Sequence, residues 1–381
     1  MTYAKSGVDK MQNLKSVVKE YMYYLRYNNK EIPADLTKDA FTELWKIPEE
    51  SVRNVQMGVM LFGAFKVEKR PEVIASIIST AFQLDDFEPL QREEIGSING
   101  YIPIQLSGSG KKGIKTINIS SISMIVSACG GSKIVKPGSF STSSNMGSAD
   151  FFSMIGAKKI IDSKYAKSLL EEVGFCFFNI ENLIPRFDSI YGNRFFTPHI
   201  LSYGLAALTC PVKCPKVLYG ISYQDAMLTS KVLNEFDIKE SVVYYSTFDD
   251  VHFIDELVPF AQCGITYHDR SYRELSLNLS ELFSNNEDLM VWNNMDIKNV
   301  LYEEIRLLAG KSTHQDLIDT IAINSALQMF VSGVVDSIIQ GYRKAYDIIL
   351  SGEAYMVLKK YIHAISENND LLEKIYKESC T

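Results

Sequence analysis

The stretch GSGKKGIKTINISS, residues 108–121, is a glycine-rich loop that leads into a predicted helix, and it is the most informative part of the sequence. Its three glycines let the backbone come close to a bulky anion. Apolar residues at helical spacing after Asn118 predict that a helix begins there. The free N–H groups at that helix start would face the glycine loop as a phosphate cradle, and Lys111, Lys112 and Lys115 add positive charge. The alternative is a surface turn with solvated lysines, because a glycine loop alone is a weak signal.

A second polar stretch, KPGSFSTSSNMGSAD at residues 136–150, follows a strand-like run and precedes a helix start near Phe151. Hydroxyl groups and glycines at a strand-to-helix turn again suit an anion. The alternative is a polar linker in which Ser148 or Asp150 is an ordinary helix cap.

Two adjacent acids, Asp249 and Asp250, lie just past the strand-like run Val242–Tyr245. Carboxylates beyond the carboxyl end of a strand can hold Mg²⁺ through oxygen ligands and water. Adjacent acids on a loop are also often simply solvated, so this pair leaves both interpretations open.

Short apolar runs alternate with helical segments from about residue 97 onward, which predicts an α/β domain with a mostly parallel sheet. The candidate strands are Gly131–Val135, Val173–Phe178, Lys216–Ser222 and Ser241–Ser246. The first ninety residues favour helices, and the aromatic-rich segment 181–211 has the same character. We therefore predict a small helical domain over 1–96, to which 181–211 returns, and an α/β domain over 97–180 and 212–381.

Composition restricts the functional classes. The chain has 381 residues, of which 46% are hydrophobic and 22% charged, so it can bury a full core without disulfides or metal. Lys and Arg total 39 against 46 Asp and Glu, a net charge of -7. Such acidity disfavours phosphate-backbone binding as the main role, and nucleic acid is not an expected partner.

Localisation is predicted to be cytoplasmic. No apolar run is long enough to span a bilayer, no membrane partner is expected, and the polar start MTYAKSGVDK does not resemble a signal peptide. Six sparse cysteines suit reduced thiols. Cys210 and Cys214 form a C-x3-C pair, but without a second Cys or His pair nearby they do not predict a zinc site.

In order and spacing, the three polar segments resemble the anthranilate phosphoribosyltransferase family, which is related to the class II nucleoside phosphorylases. The family's GTGGD loop followed by N-[IV]-S-T is similar to residues 108–121 without a gap. The family's KHGNRxxSSxxGSAD is similar to residues 136–150, again ungapped, and its Asp-Glu pair to Asp249-Asp250. Weaker resemblance covers 35–82 and 310–362.

The resemblance implies a fold and a reaction. The fold is a helical domain joined to a larger α/β domain, with the active site in the cleft between them. The reaction moves 5-phosphoribose from phosphoribosyl diphosphate to an aromatic nitrogen, with Mg²⁺ as cofactor. Such a transition state needs positioning and charge neutralisation more than a strong base, and no catalytic residue is assigned. The family also often forms dimers, so a homodimer is expected.

Residue by residue, the resemblance implies that the Gly108–Gly110 turn and Asn118 hold the diphosphate and ribose, and that Lys136 and Ser148 contact phosphate. Ser120 would be a magnesium ligand, and Asp249 with Asp250 would hold a second Mg²⁺. The acceptor-binding arginine of the family falls at Arg194. The predicted substrate-binding residues are Gly108, Ser109, Gly110, Lys111, Lys112, Asn118, Ser121, Lys136, Ser139, Ser148 and Arg194.

Departures from the family pattern fall mostly on the acceptor side. Pro137, Ser139 and Ile184 replace polar or longer side chains of the family, whereas Lys111 and Lys112 replace the Gly-Asp that ends the donor loop. We therefore favour a phosphoribosyltransferase with an acceptor other than anthranilate. Three alternatives stay open: an anthranilate enzyme of tryptophan synthesis, a pentosyl phosphorylase-like enzyme, and a family member without catalysis that binds nucleic acid or a partner.

Overall fold

The structure, a computed structural model, describes residues 16–27, 30–114, 116–141, 146–157, 163–259, 261–278, 295–366 and 370–380. Lys115 of the glycine-rich stretch lies outside these residues, as do Ser143 and Ser144 of the serine-rich stretch. Among the described residues, no helix is both long and apolar enough to cross a membrane.

The strands of the described chain form one large sheet and one small parallel pair. They are β1 (Glu93–Glu94), β2 (Ile104–Gly108), β3 (Ile134–Gly138), β4 (Phe175–Asn179), β5 (Val212–Lys213), β6 (Lys216–Gly220), β7 (Glu240–Thr247), β8 (Phe253–Ile254), β9 (Gln262–His268) and β10 (Tyr272–Asn278). The large sheet has the order β10-β9-β7-β6-β2-β3-β4, with β8 pairing β7 off this path. Strands β2, β3, β4, β6 and β7 are parallel, whereas β8, β9 and β10 pair antiparallel.

Helices precede, interleave with and follow the strands. They are α1 (16–25), α2 (Ala34–Leu44), α3 (Glu50–Val67), α4 (Pro71–Phe82), α5 (Ile119–Cys129), α6 (Ser148–Met154), α7 (Ser163–Glu172), α8 (Pro185–Tyr191), α9 (Leu205–Leu208), α10 (Ala226–Glu235), α11 (Ile297–Leu308), α12 (Gln315–Val331), α13 (Ile338–Ser351), α14 (Glu353–Ile365) and α15 (Asp370–Cys380). Short 3-10 turns lie at Gln83–Asp85, Pro89–Gln91, Ile180–Asn182 and Ile200–Tyr203.

Local sequence explains where two of the helices begin. Helix α4 begins at Pro71, whose fixed φ and missing N–H suit a first helical position. Helix α5 begins directly after Asn118, as predicted, and buries Ile122, Ile125 and Val126. Because the buried face of α5 is apolar and packs in the core, the amino-terminal turn of this helix is held in place near the carboxyl end of β2.

Two hydrophobic cores hold the molecule together. One lies on the sheet and includes α5, α12 and α14; the other joins α2, α3 and α4 to the segment around α8 and α9. The Trp45 ring stands edge-on to Phe187 of α8 at 5.2 Å between ring centroids, and its Nε1–H donates to Thr80 at 2.9 Å. The predicted α/β class with a mostly parallel central sheet is confirmed. The domain bounds at 96 and at 181–211 stay a prediction, which this packing favours.

Candidate active site

A cavity of about 260 Å³ lies at the carboxyl ends of β2, β3 and β4. In the sheet, β2 lies between β3 and β6: the chain continues from β2 to β3 and β4 on one side, and only later enters β6 on the other side. Such a reversal opens a crevice that α/β proteins use to bind ligands. The predicted site residues that line this cavity are Gly108, Ser109, Gly110, Lys111, Lys112, Asn118, Ser120, Lys136, Ser139 and Ser148.

The glycine loop after β2 closes tightly on Asp255. The N–H of Gly110 donates to the Asp255 Oδ2 at 3.0 Å. A Cβ atom at Gly108 would lie 2.7 Å from that same oxygen, and one at Gly220 would lie 1.9 Å from the Asp255 carbonyl oxygen. Both positions therefore need glycine for space, and the loop is fixed to the acid rather than mobile.

Lys112 makes an ion-paired cluster with Asp255 and Glu256. Its Nζ lies 2.6 Å from the Glu256 Oε2 and 3.5 Å from the Asp255 Oδ1. The side chains are 14%, 5% and 3% exposed for the lysine, the aspartate and the glutamate. Burial alone would lower the pKa of Lys112, but the charges of the two acids outweigh it and the pKa is raised. Burial, together with the charge of Asp255, raises the pKa of Glu256.

The two polar stretches meet at the start of α5. The Lys136 Nζ donates to Ser120 Oγ at 3.1 Å, and Ser121 Oγ donates to Ser148 Oγ at 2.9 Å. Ser121 is thus buried behind the cavity. Burial lowers the pKa of Lys136 to about 8. A cation, hydroxyl groups and a helix amino terminus therefore converge on one place, which suits a phosphate or diphosphate.

Around this convergence, two further contacts fix the backbone. The N–H of Asn118 donates to the buried Glu304 Oε1 at 2.8 Å, and its side-chain amide donates to the Gly147 carbonyl at 3.2 Å. Asp150 accepts from the N–H of Ser141 and of Gly147, each at 2.8 Å. Asp150 is therefore a cap that shapes the serine-rich turn, and it does not line the cavity.

The acidic pair of the cleft is Asp255-Glu256, which corrects the prediction made for Asp249 and Asp250. Asp249 is exposed in the turn between β7 and β8, where its carboxylate accepts from the His252 N–H and pairs with the His252 ring, both at 2.7 Å. Asp250 is also exposed and has a φ of 58°. Neither lines the cavity. The Asp-Glu dipeptide at 255–256 was the signal in the sequence that could have identified the pair.

Arg194 is likewise outside the cavity, which corrects its predicted placement against the acceptor. Its guanidinium donates to the Gly192 carbonyl at 2.9 Å and pairs with Glu50 at 3.0 Å. The cleft is lined there by Phe187, Tyr191 and Phe195, which we call the aromatic wall. Successive rings of this wall stack, with centroids 4.9 Å and 5.5 Å apart.

Within the aromatic wall, the Tyr191 hydroxyl has two donors. The Lys111 Nζ donates to the Tyr191 Oη at 3.1 Å, and the His199 Nε2 lies 3.0 Å from it. The His199 Nδ1 accepts from the Leu201 N–H, so the network assigns the ring proton to Nε2. Burial, aided by the Lys111 charge, holds the pKa of His199 well below its usual range. Tyr191 accepts from both groups, which leaves its own proton for a ligand.

A divalent ion at the acidic pair does not fit the residues present. Mg²⁺ requires carboxylate or phosphate oxygens with room for water, but the Lys112 ammonium already contacts both carboxylates. The Ser120 hydroxyl, the other predicted metal ligand, accepts from Lys136 and is not part of this acidic pair; its second lone pair stays available to an ion that arrives with a ligand. Among the described residues, no group of three or more His, Cys, Asp and Glu side chains could hold a metal ion.

Comparison with known proteins agrees with this architecture. The profile of the glycosyl transferase family, a/b domain, matches residues 103–355, so the chain belongs to this family of glycosyltransferases. Anthranilate phosphoribosyltransferase from Xanthomonas axonopodis pv. citri is 26% identical over 335 residues, 86% of this chain and 92% of that protein. The same enzyme from Cupriavidus necator is 25% identical over 270 residues, 69% of this chain and 76% of that protein. The chain is thus a divergent member, and the predicted resemblance and enzyme class are confirmed.

Solved structures support the fold. Anthranilate phosphoribosyltransferase from Thermus thermophilus has a TM-score of 0.69 at 19% identity, covering 91% of this chain and 98% of that one. The enzyme from Saccharomyces cerevisiae, in a complex with PRPP and Mg, has a TM-score of 0.72 at 19% identity, covering 92% and 98%.

Proposed function

We propose that this chain is a phosphoribosyltransferase that moves 5-phosphoribose from phosphoribosyl diphosphate to a nitrogen of an aromatic acceptor other than anthranilate. The observation that carries the proposal is the convergence of the glycine loop, the start of α5 and Lys136 on one cavity beside an aromatic wall. In the reaction, the acceptor nitrogen bonds to ribose C1 while the C1–O bond breaks. Diphosphate leaves with the electron pair, and the nitrogen passes its proton to the departing diphosphate or to water.

The donor half of the cleft provides charge neutralisation for the leaving diphosphate. Lys136 brings an ammonium, Ser120 and Ser148 bring hydroxyl groups, and α5 directs its positive end to the same place. Fixed donors of this kind stabilise charge that develops on a leaving group without reorganising during the reaction. No general base is needed, because the transition state is loose and the nucleophile is a neutral nitrogen.

The acceptor half supports an aromatic ligand that is recognised through Tyr191. Phe187, Tyr191 and Phe195 offer ring faces and edges, which favour stacked or edge-on aromatic partners. The Tyr191 proton would be donated to a carboxylate or carbonyl oxygen of the acceptor. Pro137, Ser139 and Ile184 also line the cavity, so the positions that lost longer polar side chains face the ligand. This supports an acceptor different from anthranilate.

Mg²⁺ enters the proposal with the substrate. A diphosphate chelates Mg²⁺ through its own oxygens, and protein sites for this ion often consist largely of substrate phosphates. Ser120 is the residue that would contact the ion, whose bound charge would help to neutralise the leaving group. We do not assign Mg²⁺ to Asp255 and Glu256.

Nucleic-acid binding receives less support than catalysis. Lys112 is enclosed by its acid partners, and Lys111 is directed to Tyr191, so the two loop lysines do not form an exposed basic patch. A pentosyl phosphorylase-like reaction has no specific observation in its favour.

A homodimer through α3 is part of the proposal. The exposed fractions of Val55, Val59 and Phe62 are 62%, 48% and 51%, at a spacing that places them on one face of α3. An exposed apolar stripe of this kind is typical of an interaction surface. We also propose a cytoplasmic location, supported by six cysteines that are all free thiols.

The test is a product screen with phosphoribosyl diphosphate, Mg²⁺ and a panel of aromatic amines, acids and heterocycles, with anthranilate included. Mass spectrometry should detect one phosphoribosylated acceptor together with diphosphate. The matched control is Lys136→Met, which should lose the product signal. Efficient turnover of anthranilate, or turnover of a nucleoside with inorganic phosphate, would contradict the proposal.

A further inference from the structure

We propose that the Lys112 ammonium is a built-in cation that occupies the place of a divalent metal ion at Asp255 and Glu256, so that this acidic pair binds no metal in the native protein. The inference concerns the free protein and does not rest on the proposed function.

Geometry is the first argument. The Lys112 Nζ lies 2.6 Å and 2.7 Å from the two oxygens of Glu256 and 3.5 Å from Asp255. It also donates to the Thr116 Oγ1 at 2.8 Å. Two of the three ammonium protons are donated to the Glu256 Oε1 and the Thr116 Oγ1, and the Glu256 Oε2 and Asp255 Oδ1 lie at ion-pair distance. A magnesium ion bound to the same oxygens at 2.0–2.1 Å would overlap with the ammonium.

Charge is the second argument. Two adjacent carboxylates that are almost fully buried need a compensating cation. Within the part of the chain that the structure describes, Lys112 is the cation recorded at ion-pair distance from either of them. One lysine compensates one of the two negative charges, and the Asp255 Oδ1 and Glu256 Oε2 have no hydrogen-bond partner beyond this ion pair.

The backbone holds Lys112 in this place. Gly110 and Lys111 both have left-handed φ angles, of 62° and 58°, which turn the chain back toward Asp255. On either side of Lys112, the Gly110 N–H donates to Asp255 and the Gly113 N–H donates to the Phe253 carbonyl, both at 3.0 Å. The backbone on both sides of Lys112 is therefore held in place, which directs the lysine side chain toward the two acids.

Lys111 provides a matched control on the same loop. It has the same side chain one position earlier, but its ammonium is directed to Tyr191 rather than to the acids. Removing its charge should leave the acidic pair unchanged.

The test is a titration of the free protein with Mn²⁺ in the absence of any substrate. Electron paramagnetic resonance measures how much of the ion is bound. The wild type should show no site at Asp255-Glu256 with a dissociation constant below roughly 1 mM, the weak limit of ordinary protein sites. Lys112→Gln should gain one Mn²⁺ per chain, and its melting temperature should rise with Mn²⁺ by mass action. Lys111→Gln should gain none, and Glu256→Gln in the Lys112→Gln background should lose the gained site.

The inference is overturned if the wild type binds one Mn²⁺ that Asp255→Asn removes, a result that does not require Lys112→Gln to fold. It is equally overturned if folded Lys112→Gln gains no ion. A wild-type Mn²⁺ signal that persists in Asp255→Asn places the ion elsewhere and supports the inference. Because no sugar diphosphate is present, failure of the proposed function leaves all these outcomes unchanged.

Discussion

The Lys111 Nζ lies 3.1 Å from the Tyr191 Oη and 5.5 Å from the centre of its ring, so the glycine loop and the aromatic wall are in direct contact. This contact links the proposed donor half of the cleft with the proposed acceptor half. A ligand bound on one side would therefore influence how the other side is held.

Tyr191→Phe keeps the ring but removes the hydroxyl. Because the wall still stacks while the proton donated to the ligand is lost, we expect the KM for the acceptor to rise roughly 5- to 10-fold, the effect of one hydrogen bond. Steady-state kinetics with the acceptor found by the screen measures this, and Tyr101→Phe, on an exposed turn, is the control. An unchanged KM would remove Tyr191 from acceptor recognition.

Arg194→Ala should leave the KM for the acceptor within about two-fold of the wild type. The guanidinium pairs with Glu50 and does not line the cavity. This pair is substantially exposed, so its loss should leave the free energy of unfolding nearly unchanged. Acceptor kinetics and urea unfolding together check both statements. A large rise in KM would mean that Arg194 turns into the cleft when the acceptor binds.

Glu304 makes stability depend on pH. Burial raises the pKa of Glu304 to about 8 against 4.5 for the unstructured group, with the Asn118 N–H opposing the rise. The folded chain therefore binds a proton that the unfolded chain releases, and this contribution to the free energy of unfolding falls as pH rises from about 4.5 to about 8.

Glu304→Gln should remove this pH-dependent fall in the free energy of unfolding. At about pH 9 the variant should be more stable than the wild type by roughly 1 kcal/mol or more, since one pKa unit corresponds to about 1.4 kcal/mol. Near pH 4.5 the difference should vanish. Urea unfolding across this range measures it, with the exposed Glu20→Gln as control. Parallel stability profiles for variant and wild type would refute the assignment.

The α3 stripe predicts a dimer that a charge should break. Val59→Glu places a carboxylate in the middle of the stripe, and burying it in an interface would be costly. Light scattering after size exclusion should report a dimer for the wild type and a monomer for this variant. Val251→Glu is the control, because Val251 is 72% exposed away from α3. A monomeric wild type would contradict the proposed homodimer through α3.

The donor half of the cleft could be predicted from the sequence because its signals are local. A glycine loop, a helix start after Asn118 and a serine-rich turn each depend on a few adjacent residues. Parallel pairing of β2 with β3 then brings their carboxyl ends together. The order and spacing of these segments resemble those of a known family, which predicted that they share one site. In the structure, the Lys136–Ser120 contact joins two of them.

The acidic pair and Arg194 could not be placed in the same way because their positions depend on distant partners. Asp255 reaches the glycine loop because the chain turns back from β7 into β8 and then passes Gly220 at the end of β6. Lys112 lies 144 positions from Glu256. Arg194 is drawn to Glu50, also 144 positions away, on a helix of the amino-terminal region. Strand β3 also begins three residues later than predicted, since Gly131 with a φ of 112° still belongs to the turn after α5.

The most direct test of the account is a calorimetric titration with phosphoribosyl diphosphate in the presence of Mg²⁺. The wild type should bind one molecule per chain within the range usual for enzyme substrates, roughly 1 µM to 1 mM. Lys136→Met should weaken binding about 10- to 100-fold, because it removes a charge-assisted hydrogen bond. Lys374→Met, an exposed lysine on α15, should bind like the wild type. No binding by the wild type, or equal binding by Lys136→Met, would contradict the assignment of this cleft to the phosphoribosyl donor.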